Sequence, residues 1–309
     1  MKTSHQKTGA RLLLAAVIAS ALVGASVKAD SWFTDNFASY PNNTELLKAA
    51  DGKSQIVSDG PIGWKAIWWS DVSEPPQFRV GGENFGWTWP PFPDDGSNGN
   101  FLIITAINTN VVLYNTSAGE LGGASTISVD VFNSKSPQAY RGLVFNLKES
   151  LDGQTYYYVG ISRLENGNVG LTIRKSVDHH DGFNFADYSD EPRGWDRVFE
   201  QNKDTGLPWT EGNWDRLTVS LTKPGVFSVQ IQEWNTGPTE VKKNTGSEGK
   251  TFKSEVVDDA SDALKGGYAG IATSMWDAIG FNNFSIATGA GQQAAGLQKT
   301  NPAPAKGSR

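Results

Sequence analysis

The sequence predicts an all-β protein in which two antiparallel sheets pack as a jelly-roll sandwich. Two observations carry this prediction. Near both ends of the chain, in residues 32–40 and 267–286, apolar or aromatic residues alternate with small polar ones, a pattern typical of half-buried strands. Between these ends, short alternating segments are joined by Gly, Asn and Pro turns, a spacing that indicates a sandwich rather than a βαβ fold.

The chain is expected to have three parts. Residues 1–29 combine a basic lead, a short apolar run and the small residues Val27 and Ala29, which is typical of a signal peptide; a short membrane anchor is the alternative. Residues 30–287 are predicted to form a single β-sandwich domain, and 288–309, rich in Ala, Gly, Gln and Pro, a flexible low-complexity tail. We therefore expect a secreted protein, periplasmic or extracellular, with no membrane insertion after cleavage.

Composition and charge exclude several partners. The net charge is −6, and it becomes −10 once the four basic residues of 1–29 are removed. Such an acidic protein repels nucleic acid and anionic lipid headgroups, so we expect neither as a partner. The chain has no Cys, so its stability has to come from a sizeable core, with a bound cation as an additional possibility.

The strongest strand signals lie in the middle of the chain. They cover residues 126–131, 141–147, 156–162, 169–174, 216–221 and 226–234. Asn166-Gly167 is the strongest short hairpin signal, and Pro224-Gly225 indicates a tight turn. Residues 70–100 and 178–214 break the pattern and are predicted as long loops, while 44–50 fit one or two helical turns.

Four segments together resemble a known superfamily. They are Asp35-Asn36-Phe37, residues 154–160, residues 212–219, and the closing pair formed by 267–271 and 282–284. They look like the concanavalin A-like lectin/glucanase fold, which includes laminin-G-like modules. The resemblance implies a two-sheet jelly roll whose concave face carries the ligand in members that bind sugars. Related chains often have Asp where this one has Asn282, which weakens the transfer of a calcium site that uses that carboxylate.

Aromatic and amide side chains are the candidate sugar contacts. Trp87 and Trp89 alternate in a Pro-rich segment, and indole rings stack on the apolar faces of sugars; burial in the core is the alternative. Alternation also places Gln230, Gln232 and Trp234 on one side of a strand, where amides could read hydroxyl groups. A solvated outer face is the alternative there, and Arg141 and Arg174 are each expected to line a groove or to lie in water.

Catalytic signals are weaker. His179 and His180 form the one His cluster after the signal segment, and with Tyr156 or Tyr158 and an Arg they would make a sensible polysaccharide-lyase set. A glycoside hydrolase needs two carboxylates about 5–9.5 Å apart, and no Glu-x-Asp-x-x-Glu spacing occurs in this sequence. Glu191 belongs to an acidic group in a predicted loop, so a solvated rim or a cation site is the favoured interpretation.

A calcium loop is partly matched by residues 94–105. Asp94, Asn98 and Gly99 are in register, but Thr105 stands where a terminal Glu is expected. The segment is interpreted either as an ordinary Gly turn or as a site for a structural calcium ion, with Asp94 and Asn98 as the candidate ligands.

The sequence therefore predicts a secreted domain that binds extracellular carbohydrate without cleaving it. The predicted contacts are Trp87, Trp89, Gln230, Gln232 and Trp234, with Arg174 as a polar anchor. A polysaccharide-degrading hydrolase or lyase and a cell-surface or matrix adhesion module are the two alternatives.

Overall fold

A computed structural model describes the chain in twelve ranges: residues 31–37, 39–48, 55–57, 61–70, 76–81, 100–105, 109–134, 140–148, 154–179, 197–233, 249–275 and 278–288. These ranges are almost entirely β-strand, with one 3-10 turn at Pro61–Gly63. Within these ranges, no helix is long and apolar enough to cross a membrane.

The described strands are numbered in chain order. The first eight are β1 Ser31–Asp35, β2 Thr44–Lys48, β3 Gln55–Val57, β4 Trp64–Ser70, β5 Gln77–Gly81, β6 Phe101–Thr105, β7 Thr109–Asn115 and β8 Ser125–Phe132. The rest are β9 Tyr140–Lys148, β10 Gln154–Arg163, β11 Asn168–His179, β12 Arg197–Pro208, β13 Trp214–Lys223, β14 Val226–Glu233, β15 Thr251–Val257, β16 Tyr268–Met275 and β17 Ala278–Thr288.

The strands form two antiparallel sheets. The larger sheet has the order β15-β14-β13-β8-β17-β6-β5-β2, with β1 also paired to β17. The smaller sheet has the order β12-β11-β10-β9-β16-β7-β4-β3. The two sheets pack on a shared hydrophobic core, and the predicted all-β sandwich is confirmed.

The two ends of the described chain are neighbours in the larger sheet, as the sequence predicted. In the β1–β17 pair, Phe33 lies opposite Ile286 and Asp35 opposite Phe284. Asp35 gives the Asp35-Asn36-Phe37 motif a structural role, because its carboxylate accepts hydrogen bonds from the Phe37 amide at 2.8 Å and the Trp64 indole at 2.9 Å. The first strand is therefore held both by its partner strand and by the core.

Both predicted hairpins are confirmed. Gly167 lies between β10 and β11 with φ +80°, and Gly225 lies between β13 and β14 with φ +73°. This left-handed backbone is easily adopted by Gly, which has no Cβ, and that is why turn residues stand at these two points.

Three local predictions are wrong. Residues 44–50 contain strand β2 rather than helical turns, and adjacent Leu46 and Leu47 are both buried because the register shifts by a bulge between Glu45 and Leu47. The segment 70–100 contains β5, and 178–214 contains the twelve-residue β12. Both strands lie in segments whose sequence breaks the alternating pattern. In β12 itself, apolar and polar residues do not alternate as they do in a strand with one buried face.

Alternation in the strands builds the core. Leu217 and Val219 of β13 and Val229 and Ile231 of β14 are buried between the sheets, whereas the residues between them are only half-buried. Trp64 is buried as well and packs on Phe284 with ring centroids 5.2 Å apart. Part of the Trp content therefore serves the core.

A buried polar cluster fastens the two sheets along one edge. Tyr157 of β10 donates a hydrogen bond of 2.6 Å to Asp258, just after β15. Lys175 of β11 pairs with Asp258 at 3.0 Å and with Asp262 at 2.9 Å, and Arg197 of β12 pairs with Asp258 at 2.7 Å. Because the Asp258 side chain is fully buried, these contacts supply the charge compensation that its burial requires.

A second buried cluster lies at one end of the sandwich interior. Arg141 donates to the carbonyl of Phe132 at 2.8 Å and lies over the Trp209 ring at 4.7 Å. Asp215 accepts a hydrogen bond of 2.8 Å from the Asn133 amide. Arg141 is fully buried, so the expectation that it lines a groove or lies in water is wrong: it packs within the sandwich.

Candidate functional site

Each sheet sends every second side chain away from the core, so the sandwich has two outer faces where a ligand could bind. On β14, half-buried Ser228, Gln230 and Gln232 alternate with buried Val229 and Ile231. We call the outer face of the larger sheet around β14 the amide face. Its polar side chains are supplied by β15, β14, β13, β8, β17 and β1.

One row of polar side chains crosses the amide face at right angles to the strands. Strand register places its members side by side on six adjacent strands, in the order Lys253, Gln230, Thr218, Ser128, Ser285 and Thr34. We call this the central row. Its two outermost members are exposed and the inner four are half-buried. The row is a continuous strip of amide, hydroxyl and ammonium groups that solvent can reach.

The inner members of the central row are available for hydrogen bonding. Ser128 and Ser285 share one hydrogen bond of 2.8 Å. The side chains of Gln230 and Thr218 make no hydrogen bond to another residue within the described ranges. A primary amide offers two donors and an acceptor, and a hydroxyl offers one donor and an acceptor. The strip can therefore read a ligand that both donates and accepts.

A tight ionic contact borders the central row. Arg216 donates to both carboxylate oxygens of Asp130, at 2.6 and 2.7 Å, and the amide of Asn283 donates to the same carboxylate at 2.8 Å. Gln232 lies opposite Arg216 on the neighbouring strand. The Asp130 side chain is fully buried, so this contact fixes three strands of the sheet beside the row.

The outer face of the smaller sheet has a different character. Tyr156 and Tyr158 on β10, Arg174 on β11 and Tyr140 on β9 share this side, which we call the tyrosine face. Each of these four side chains is at most 2% exposed. Burial raises the pKa of both Tyr156 and Tyr158, so these phenols stay protonated. The tyrosine face is enclosed, whereas the amide face is open.

Asn202 accepts hydrogen bonds from three hydroxyl groups at the edge of the tyrosine face. Its Oδ1 atom accepts hydrogen bonds from Tyr140 at 3.1 Å, Ser162 at 3.4 Å and Thr172 at 3.4 Å. It lies in β12 with φ +47°, where the β11–β12 register shifts. The bulge turns a half-buried amide toward the face, and bulges of this kind often re-aim a side chain near a site.

The structure separates the predicted contact set. Gln230 and Gln232 share the amide face, as alternation predicted, but Arg174 lies in the other sheet on the tyrosine face. Arg174 is 2% exposed, so the expectation that it lies in water is wrong. A single ligand on the amide face cannot use Arg174 as its anchor.

Several predicted site residues lie outside the described residues. These are Trp87, Trp89, Asp94, Asn98, His180, Glu191 and Trp234. His179 is the last residue of β11, with its backbone paired to Gln154. Tyr156 and Tyr158, named in the lyase alternative, share one face with Arg174: Tyr158 lies opposite Arg174 and Tyr156 opposite Ser176.

Sequence reasoning missed most of the central row. Thr218, Ser128 and Ser285 each lie in a predicted strand, and each alternates with apolar residues. The signal for one outward face was therefore present in every strand. What joins them to Gln230 is the order of strands in the sheet, because β8, β13 and β17 are far apart in the chain.

No group of three or more His, Cys, Asp or Glu side chains in the described ranges is arranged to hold a metal ion. Asp258 and Asp262 meet at the sheet edge, but Lys175 is bound to both of them and Arg197 to Asp258. A carboxylate group already compensated by two cations does not fit the oxygen-rich ligand set that calcium takes. The predicted calcium ligands Asp94 and Asn98 lie outside the described residues, so the calcium prediction stays a prediction.

No protein-family model matches the chain, and no curated protein is significantly similar to it. Among solved structures, it is similar to the carbohydrate-binding module CBM66 from Bacillus subtilis, with 10% identity, a TM-score of 0.39, and coverage of 60% of this chain and 86% of that one. GH43B of the Bacteroides ovatus xyloglucan PUL has 14% identity and a TM-score of 0.36, over 82% of this chain and 39% of that one. A Bacillus subtilis protein of unknown function with a galectin-like fold has 12% identity and a TM-score of 0.36, over 69% and 89%. These likenesses are distant, so function has to be inferred from the residues of the chain itself.

Proposed function

We propose that this chain is a secreted carbohydrate-binding protein of the concanavalin A-like type, and that it holds an extracellular polysaccharide against the amide face without cleaving it. The observation that supports this most is the central row, in which Gln230 and Thr218 lie half-buried on a rigid sheet with hydrogen-bonding capacity to spare. Sugar hydroxyls are paired donors and acceptors, and they match amides and hydroxyls of this kind.

The sheet favours binding because its side chains are already in place. Strands β13, β14 and β8 are paired along their whole length, so the row loses little conformational freedom when a ligand arrives. A preorganised surface keeps more of its contact energy as affinity. Hydrogen bonds to a neutral ligand are individually modest, so several aligned groups are needed.

Aromatic contacts complete the proposal. Trp87, Trp89 and Trp234 remain the candidate stacking residues, because an indole covers the apolar face of a sugar ring while its edge stays hydrated. Trp234 follows directly after Glu233, the last residue of β14, and is proposed to extend the amide face beyond Gln232.

Cleavage is not favoured on the amide face. Its described carboxylates near the central row are Asp130 and Glu255, which lie three strand spacings and four residue positions apart, so their separation exceeds about 14 Å at the usual spacing between strands. A glycosidase pair needs about 5–9.5 Å. Both oxygens of Asp130 are also engaged by Arg216, which leaves that carboxylate poorly placed to exchange protons.

The experiment is a glycan-binding screen with the mature protein, followed by calorimetry on Gln230→Ala and Gln232→Ala. We expect each substitution to weaken binding about threefold to tenfold, the value of one neutral hydrogen bond. Gln201→Ala is the matched control, since Gln201 is an exposed amide on β12 of the smaller sheet. Unchanged binding in both amide-face variants would reject this face, and binding only to a protein partner would favour the adhesion alternative.

One observation favours a second candidate function, a polysaccharide lyase. Tyr156, Tyr158 and Arg174 lie on neighbouring strands of one face, and the strand that carries Arg174 ends at His179. In a lyase the imidazole would remove the proton next to a uronate, a protonated phenol would donate a proton to the leaving oxygen, and the guanidinium would neutralise the uronate. A lyase product absorbs in the ultraviolet, so the test is an absorbance assay on polyuronates with wild type and His179→Ala. Product that disappears in His179→Ala would replace the binding-only proposal.

A further inference from the structure

We infer, on the basis of the proposed function, that the ligand is a neutral glycan bound as a single extended chain that crosses the strands along the central row. Three properties of the amide face point to this ligand: the spacing of the row, the balance of its charges and the twist of the sheet that carries it.

The spacing of the central row suits a repeating ligand. Its six members stand on six adjacent strands, so they are separated by five strand gaps. Adjacent strands lie about 4.8 Å apart, which is close to the length that one pyranose ring adds to an extended chain. A glycan lying along the row therefore presents about one ring to each strand, and the row accommodates about five or six rings.

A second row of polar side chains runs beside the central row and can contact the other edge of a bound glycan chain. Ser220 follows Thr218 by two residues on β13, Ser228 precedes Gln230 by two residues on the antiparallel β14, and the two serines face each other across the strand pair. Both are half-buried and outward-facing. Residues two apart in a strand are about 6.7 Å apart, comparable to the width of a sugar ring. One ring can then meet hydroxyl or amide groups on both of its edges.

The charges of the amide face cancel. Asp130 and Arg216 neutralise each other through two short hydrogen bonds. Lys253 and Glu255 are exposed on the same side of β15, two residues apart and of opposite sign. The whole chain is acidic, and the described residues of this face carry no excess positive charge. A polyuronate or sulfated glycan therefore gains no ionic attraction from them and is repelled at longer range. A neutral glycan avoids this cost.

The twist of the sheet selects a single chain over a crystalline surface. Adjacent strands rotate by about 20–25° relative to each other, so a row across six strands turns well out of one plane. A flexible soluble chain can follow this path, whereas the flat surface of a crystalline polysaccharide meets only a small part of it. The central row is thus suited to soluble or amorphous polymer.

The test is calorimetry with defined probes: xylan-, cellulose- and mannan-derived oligosaccharides from disaccharide to hexasaccharide. We expect affinity for at least one series to rise with each added ring to about the pentasaccharide or hexasaccharide. We also expect little change with added salt, no tighter binding of polygalacturonate, and little retention on microcrystalline cellulose. A plateau already at the disaccharide, a preference for polygalacturonate, or retention on the crystalline polymer alone would overturn this inference while leaving carbohydrate binding in place.

A variant in the middle of the row separates the inference from the proposed function. Thr218→Lys interrupts the row at its third strand, so hexasaccharide affinity should fall about tenfold or more, to the level of a shorter oligosaccharide. Gln201→Lys adds the same charge on the smaller sheet and should bind like wild type; thermal melts confirm that both variants fold. If the affinity of Thr218→Lys rises with oligosaccharide length as it does in the wild type, the inference that the glycan lies along the central row is wrong. If the wild type binds no glycan at all, the proposed function itself is wrong.

Discussion

The hydroxyl of Tyr157 donates a 2.6 Å hydrogen bond to Asp258 and accepts one from the amide of Leu264 at 3.1 Å. Tyr157 belongs to the smaller sheet and Asp258 follows the edge strand of the larger one, so one phenol joins the two layers. In a sandwich without disulfides, such contacts resist separation of the sheets along an edge that no further strand of the described ranges covers.

Tyr157→Phe should lower the free energy of unfolding by about 1–3 kcal/mol, because Asp258 and the Leu264 amide each lose a buried partner. Urea unfolding monitored by Trp fluorescence measures this. Tyr268→Phe is the control, since Tyr268 is only partly buried and packs beside Tyr114; we expect a change within about 0.5 kcal/mol. Equal effects of the two substitutions would contradict the role of the Tyr157 hydroxyl.

Asp258→Asn should destabilise the protein by on the order of 3 kcal/mol, because Lys175 stays buried without its full countercharge. Burial alone would raise the pKa of Asp258, but hydrogen bonds from Tyr157 and Lys175 outweigh it and lower that pKa. The stability from this group is present above the unfolded value of about 3.9 and lost as pH falls through the lowered pKa. Denaturation below about pH 4 should thus depend less on pH in the variant than in wild type.

Asp215 should have the opposite pH dependence. Burial raises its pKa to about 7, while the hydrogen bond from Asn133 opposes the shift. Its contribution to stability is therefore complete below about pH 3.9 and is lost as pH rises through about 7, with a slope of at most about 1.4 kcal/mol per unit. Asp215→Asn should flatten this alkaline-side loss in urea titrations between pH 5 and 8, whereas exposed Glu165→Gln should not; identical profiles would argue against a proton held at Asp215.

Asp130→Ala should cost on the order of 3 kcal/mol, because Arg216 and Asn283 both lose the carboxylate that fixes them. The double variant Asp130→Ala with Arg216→Met should recover part of the loss by removing the unpaired cation. Thermal unfolding of the single and double variants measures the coupling. If the double variant is no more stable than Asp130→Ala, the ion pair is not what holds β8 to β13.

A calcium ion near Asp94 and Asn98 would bind the folded chain and raise its melting temperature. Adding a chelator to the purified protein should then lower the melting temperature, and excess calcium should restore it. Asp94→Ala should abolish the response, while Asp204→Ala, an exposed carboxylate bound by Asn166 and Asn168, should keep it. A melting temperature unaffected by chelator would remove the calcium hypothesis.

Cleavage of the signal segment is a further prediction. Export from a bacterial host should yield a mature chain beginning at Asp30, because Val27 and Ala29 provide the small residues that signal peptidase reads. Mass spectrometry of the exported protein measures the mature start. A chain that keeps residues 1–29 and stays with the membrane would support the anchor alternative.

Strands with one buried and one open face were predictable from local sequence. In β13 and β14 every second residue is apolar and enters the core, so alternation alone indicated both the strands and the sides of Gln230 and Gln232. Strand β12 was missed because it is an edge strand with bulges, and its mostly half-exposed residues leave no alternating pattern. Strand β2 was misread because a bulge places two adjacent Leu residues in the core.

The sequence by itself determined which segments are strands with two distinct sides, where Gly167 and Gly225 turn the chain, and that an acidic, Cys-free chain must rely on its core. Only the tertiary structure decided that Thr218, Ser128 and Ser285 stand beside Gln230, and that Arg174 faces the opposite way in the other sheet. The physical reason is that side-chain alternation is a local property of an extended backbone. Neighbours across a sheet are instead chosen by which pairing of all strands buries the most apolar surface.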